Sequence, residues 1–141
     1  MKYDDYLIKI INSWDTDEIV RLYKAGGWWK DTYDPSLIPG LISGSFVFAV
    51  VVDSKTEKAI GMGRVISDGV SDAYIQDLVV LPGSRDKGIG TNLVSVLIQE
   101  CLKKNISWIG LIAQPGSFSL YSRLGFKPMK DHIPLLYHRV D

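Results

Sequence analysis

Arg85, Lys87, Gly88 and Gly90 lie in the stretch RDKGIGTN, residues 85–92, directly after the apolar run IQDLVVLPG. Two cations and two glycines ahead of a helix start suit one kind of ligand, an anion. The first turn of a helix carries unsatisfied N–H groups and about half a positive charge. Glycines let such amides approach a ligand with no Cβ in the way. A diphosphate there takes charge-assisted hydrogen bonds of roughly 1.5–3 kcal/mol each.

Three anion loops compete for this spacing. A Walker loop, G-x-x-x-x-G-K-S/T, fits Gly83 and Gly88, but Ile89 and Gly90 stand where Lys and Ser/Thr belong. A dinucleotide fingerprint, G-x-G-x-x-G, fits Gly88 and Gly90, but Leu93 replaces the third glycine. No acidic residue follows about 20 residues on to hold a ribose. The third pattern, R-x-x-G-x-G between a strand and a long helix, fits throughout.

Such a loop needs a strand to deliver it and a helix to aim its amides. YLIKIIN (6–12) reads as a strand, and WDTDEIVRLYKAG (14–26) as a helix capped by Asp15 or Thr16 and stopped at Gly26. GWWKDTYDPSLIPGLISGS reads as loop plus a short helix. FVFAVVV, AIGMGRVI and AYIQDLVV read as three strands of an antiparallel meander over residues 46–80, with glycines in the second marking a bulge or a close backbone approach. From Lys87 to Lys104, Ile89, Leu93, Leu97 and Cys101 recur at helical period, with Val94, Ile98 and Leu102 beside them. Asn105 suits the left-handed stop. ISWIGLIA (106–113) reads as a strand parallel to the one before the helix, with Trp108 in the core. PGSFSLYSRLG is a short helix opened by Pro115 and stopped by Gly125, and PLLYHRV a closing strand. The expected fold class is α/β (α+β): a mixed, mostly antiparallel central sheet flanked by helices on both faces.

The chain has 141 residues, which fits one domain over 1–141. Its 16 basic and 16 acidic side chains cancel, which argues against nucleic acid or a membrane surface as partner. The longest apolar run, Phe46 to Val52, is too short to span a bilayer. The N-terminus has two early aspartates and no long apolar core, unlike a signal peptide. One cysteine, Cys101, excludes a disulfide framework and fits a reducing, cytoplasmic setting. His132 and His138 have no third partner at ligand spacing, so no metal is expected.

The segment IQDLVVLPGSRDKGIGTNLVSVLIQECLKKN resembles the central acyl-CoA-binding segment of the GNAT superfamily of N-acetyltransferases, whose loop reads Q/R-x-x-G-x-G/A. Arg85, Gly88 and Gly90 match it. SFSLYSRLGF resembles the last helix of that family, with Tyr121 four residues before the pair Gly125 and Phe126. The resemblance covers about residues 44–128. It implies acetyl-CoA as cosubstrate, an amine as acceptor and direct attack in a ternary complex. It implies that Lys87, Gly88 and Gly90 hold the CoA diphosphate through backbone amides, with Arg85, Asp86, Ile89 and Thr91 in the same loop. It also implies that the backbone of Leu78, Val79 and Val80 pairs with the pantetheine arm, and that Tyr121 is the general acid.

The acid is chemically sensible. A thiolate resembling cysteine has a pKa of about 8.5 and a tyrosine about 10, a mismatch of only about 2 kcal/mol. The base stays open. Many family members carry a glutamate at the position of Gln76, which itself cannot accept a proton. Asp77 is adjacent but points to the opposite face of a regular strand; a bulge would re-aim it. Asp68, Asp72 and His132 are weaker candidates, and water is another. On the acceptor side Trp28, Trp29 and Tyr33 offer an apolar or cation-binding wall, and Asp31 and Asp34 a possible attraction for a cationic amine. The acceptor is a small-molecule amine in the first place, a peptide or protein amine in the second. A non-catalytic CoA-binding module and a transferase of longer acyl groups are the alternatives. The apolar C-terminal segment IPLLYHRV is compatible with a homodimer.

Overall fold

The computed structural model describes residues 1–139. Contacts divide the chain into two compact units, Met1–Leu111 and Ile112–Asp141.

In the first unit, β1 (Tyr6–Ile10) leads to α1 (Thr16–Ala25). Asp15 caps α1 by accepting the Glu18 amide, Asp17 and Glu18 face the positive end and Lys24 the negative end. A 3-10 turn, Pro35–Leu37, runs into α2 (Ile38–Gly44). The meander follows as β2 (Val47–Asp53), β3 (Ala59–Ser67) and β4 (Ala73–Val80). After the glycine loop come α3 (Ile89–Lys103) and β5 (Ile109–Gly110). Asn105 takes the left-handed position after α3, at φ 60°.

The sheet order is β1-β2-β3-β4-β5. The first four strands are antiparallel in turn, and β5 is parallel to β4. The mixed, mostly antiparallel sheet expected from the sequence is therefore present, with helices on both faces. Six of the seven residues of β2 are buried, because both of its faces are covered. Phe48, Val50 and Val52 join Met62 and Val79 in one core with Ile19 and Leu22 of α1 and Ile38 and Ile42 of α2. The opposite face carries α3. A Cβ added to Gly63 would come within 2.9 Å of Leu78 and 3.0 Å of Leu97, so a glycine lets α3 close on the sheet. Glu18 pins α1 from the other side, accepting the Ala59 amide at 2.6 Å and the Trp14 indole N–H at 3.1 Å.

Two strand expectations are corrected. ISWIGLIA pairs only at Ile109 and Gly110; among the described residues β5 has a strand neighbour on one side alone. Trp108 is 47% exposed rather than core; its ring lies over Gly110, where a Cβ would sit 2.8 Å from it. In the second unit, α4 spans Phe118–Arg123. Gly125, at φ 100°, ends it, and the Phe126 amide returns to the Tyr121 carbonyl. PLLYHRV forms no strand over residues 134–139, which are exposed; Val140 lies outside the described residues.

Candidate active site

The loop between β4 and α3 has the geometry of an anion cradle. Pro82–Ser84 form a 3-10 turn, and α3 begins at Ile89 with no side-chain cap. Asp86 (φ 62°) and Gly88 (φ 78°) are left-handed on either side of Lys87, an alternation that turns successive amides to one side. Among the described residues the amides of Asp86 to Thr91 have no intrachain hydrogen bond, the ladder resuming with Asn92 on the Gly88 carbonyl at 3.1 Å. Residues 85–88 are exposed, so the cradle opens to solvent. Arg85 is turned back, its Nε donating to the Val80 carbonyl at 2.9 Å. It braces the loop against the end of β4.

The edge of β4 next to this loop is open. β5 pairs with Ala73 and Tyr74, so among the described residues Leu78, Val79 and Val80 have no strand on that side. β4 is also bulged. Met62 pairs with Val79 and Arg64 with Gln76, which leaves Gly63 facing two residues, Asp77 and Leu78. Asp77 absorbs the extra residue at φ 58°, a left-handed conformation that costs a non-glycine residue roughly 1–2 kcal/mol.

The bulge turns Asp77 onto the face that carries Gln76. Arg64 reaches both, its Nε 2.6 Å from Asp77 Oδ2 and its Nη2 3.4 Å from Gln76 Oε1. Tyr23, in the last turn of α1, donates its hydroxyl to the same Asp77 oxygen at 2.8 Å. Burial, then the Asp77 charge, push the Tyr23 phenol well above its ordinary range, so it stays a donor. Asp77 Oδ1 has no hydrogen-bond partner among the described residues.

Tyr23 also ties Asp77 to the aromatic residues of the α1–α2 segment. Its ring lies 6.3 Å from Trp28 and 6.4 Å from Trp29, and Trp29 meets Tyr33 edge-on at 5.5 Å. Trp28 folds back over Gly26, where a Cβ would stand 2.5 Å from the indole. Trp28 and Trp29 are half-buried against the core, while Tyr33 is 46% exposed with the Lys30 ammonium 5.9 Å from its ring centre. Tyr23 thus links Trp28 to Trp29, which in turn meets Tyr33. Asp34 caps the 3-10 turn through the Ser36 amide, and Asp31 is exposed.

Tyr121 belongs to the second unit, where its ring packs edge-on against Phe126 at 5.9 Å. Burial raises its phenol pKa. Two of the weaker base candidates have other bonds: the Asp68 carboxylate accepts the Val70 and Ser71 amides, and the His132 ring meets the Lys130 carbonyl. At Asp72 it is the backbone carbonyl, not the carboxylate, that accepts from Ser67. Cys101 is fully buried on α3, and burial raises its thiol. No cluster of three or more metal-ligating side chains occurs among the described residues.

Sequence reasoning missed Tyr23 and Arg64. A signal existed for each: Arg64 is a lone charge in an apolar strand beside another strand with a lone Asp77, and Tyr23 continues the buried stripe of Ile19 and Leu22.

Residues 12–126 match the Acetyltransferase (GNAT) family, and the chain belongs to it. It is 30% identical over 109 residues to the uncharacterized N-acetyltransferase ycf52 of Pyropia yezoensis, covering 77% of this chain and 63% of that one. It is 31% identical over 80 residues to serotonin N-acetyltransferase 2, chloroplastic, of Oryza sativa, covering 57% of this chain and 40% of that one. The chain therefore spans less than two thirds of the length of either relative. A GNAT-family acetyltransferase from Streptococcus pneumoniae shares the fold at a TM-score of 0.79 and 23% identity, over 96% of this chain and 99% of that one.

Proposed function

We propose that this chain is a single N-acetyltransferase domain over residues 1–141 that transfers an acetyl group from acetyl-CoA to an amine by direct attack in a ternary complex. The observation that carries this reading is the run of unpaired amides from Asp86 to Thr91 beside the open edge of β4. The loop holds the diphosphate. The backbone of Leu78 and Val79 pairs with the amide-bearing pantetheine arm much as an added strand would. The Val80 carbonyl, already bonded to Arg85, serves the loop instead.

The chemistry then needs two proton movements. An alkyl amine of pKa about 10.4 must lose a proton at a cost of roughly 4–5 kcal/mol near neutrality. Asp77, fixed by Arg64 and Tyr23 with Oδ1 open, attracts the ammonium and receives that proton directly or through water. The free amine attacks the thioester carbonyl, the C–S bond breaks, and the thiolate takes its proton from Tyr121. The aromatic residues Trp28, Trp29 and Tyr33 favour an acceptor with an aromatic or apolar body and one amino group, a class to which the substrate named for the rice relative belongs.

A non-catalytic CoA-binding role is the second reading, favoured by the Arg64–Asp77 ion pair, since the charge of that carboxylate is already matched. Steady-state assays with acetyl-CoA and a panel of arylalkyl, alkyl and peptide amines decide between them. Turnover fastest with arylalkylamines supports the transferase; acetyl-CoA binding with no turnover on any amine supports the binding module. Cys101, buried and unpaired, suits a reducing compartment. The cytoplasm is the first candidate and the chloroplast, in the rice relative's name, a second. Among the described residues no helix is long and apolar enough to cross a membrane.

A further inference from the structure

The free amides between β4 and α3 need fixed directions, yet α3 begins with no side-chain cap. Arg85 fastens the near end of the loop to the Val80 carbonyl. Asn92 fastens the far end. Its backbone amide is the first to rejoin the ladder, on the Gly88 carbonyl at 3.1 Å. Its side-chain Nδ2 donates to the Tyr6 hydroxyl at 2.7 Å, across 86 positions of chain. Helix propensity gives no reason for an asparagine in the first turns of α3, because asparagine is among the weaker helix formers.

Tyr6 is a firm anchor. It is buried, pairs in β1 with Asp53 of β2, and stacks its ring on Tyr3 at 4.6 Å. Leu7 packs against the α1–α2 core, so Tyr6, its strand neighbour, points to the face that carries α3. Among the described residues, Asn92 to Tyr6 is the one side-chain hydrogen bond between α3 and the sheet. The other contacts are apolar, such as Leu93 and Leu97 at Gly63. Apolar packing sets distance but not direction. A hydrogen bond is directional, and this one fixes how the first turn of α3 is rotated.

We propose that Tyr6 and Asn92 are positioning residues for the diphosphate of acetyl-CoA, a latch that aims the amides of Asp86 to Thr91 from the far side of the sheet. This rests on the reading that the loop binds that diphosphate. A loop aimed in advance has less ordering left to do when the ligand arrives. The gain falls on the diphosphate, and the thioester end of the ligand is left out of it.

Tyr6→Phe keeps the ring stack and removes the hydroxyl. Asn92→Ala removes the donor and puts a stronger helix former in α3. Each is expected to raise both Kd and KM for acetyl-CoA about three- to tenfold, the reach of one neutral hydrogen bond. The kcat and the KM for the amine should stay within about twofold of wild type. The double variant should bind at most about twofold worse than the weaker single one, because both changes break the same bond. With S-acetylpantetheine, which carries the thioester but no diphosphate, kcat/KM should be the same for wild type and variants. Circular dichroism checks the fold of each, and Asn92→Ala decides alone if Tyr6→Phe does not fold. Wild-type affinity in the variants would overturn the latch, as would multiplied losses in the double variant or an equal loss with S-acetylpantetheine. A wild type that binds no acetyl-CoA would remove the loop reading and the latch together; a wild type that binds it beside unaffected variants would remove the latch alone.

Discussion

Tyr23 and Asp77 are 54 positions apart in the chain, yet the Tyr23 hydroxyl donates to Asp77 Oδ2 at 2.8 Å. This bond links the last turn of α1 to the bulge of β4, and through the Tyr23 ring it links the Trp28–Trp29–Tyr33 wall to a carboxylate. Arg64 closes the arrangement from β3 at 2.6 Å. The residue at the strained point of the sheet is also the one proposed to receive the proton of the amine.

Tyr23→Phe removes the neutral donor and leaves the ring contacts. The expected loss is about 1.5–3 kcal/mol of stability, the usual worth of a hydrogen bond to a charged group, read by urea unfolding. The phenol pKa is raised in the folded state. Its contribution is therefore complete below the unfolded value of about 10 and is lost as pH climbs above it. The wild type should lose stability above about pH 10 more steeply than Tyr23→Phe. Equal alkaline slopes would contradict the assignment.

Arg64→Gln leaves Asp77 half-buried with only Tyr23 for a partner. A loss of about 2 kcal/mol is expected, discounted from the value for a fully buried pair because both side chains keep some solvent. Arg64→Lys retains the charge but not the fork that also reaches Gln76, and should recover part of the stability. Thermal unfolding of the two variants side by side gives the comparison.

The glycine loop and its helix were legible in the sequence because their determinants are local. Gly88 needs φ 78°, and the stripe from Ile89 to Cys101 announces α3 by its spacing. The left-handed state of Asp77 was not legible. It arises from a mismatch of residue count between β3 and β4 opposite Gly63, which one strand alone does not encode. Trp108 and PLLYHRV were misread for a related reason. Their apolar patterns signal strand tendency, but whether a neighbour stands alongside is a property of the sheet. At Arg85 the sequence shows a charge in the loop but not the bond that its Nε makes to the Val80 carbonyl.

Gly63→Ala tests the bulge. The new Cβ would meet Leu78 at 2.9 Å and Leu97 at 3.0 Å, so Leu78 or α3 has to shift. Overpacking of this kind costs about 1–3 kcal/mol. Because Leu78 lies in the bulge beside Asp77, KM for the amine should rise as well. A variant with lowered stability and wild-type KM would detach the bulge from acceptor binding.

Tyr121→Phe preserves the edge-on contact with Phe126 and removes the proton. Turnover should fall about 100-fold or more, in the range of a lost general acid, with the Kd for acetyl-CoA within about twofold of wild type. Unchanged turnover would place the acid elsewhere.

The central claim is that the amides from Asp86 to Thr91 bind the diphosphate of acetyl-CoA. Calorimetric titration of the purified protein with acetyl-CoA, with NADH and ATP as controls and Gly88→Val alongside, tests it most directly. Selective binding in the micromolar range is expected, about −8 kcal/mol, weakened at least about tenfold by Gly88→Val, which strains the left-handed position. No binding of acetyl-CoA by the wild-type protein, or equal binding by the valine variant, would contradict it.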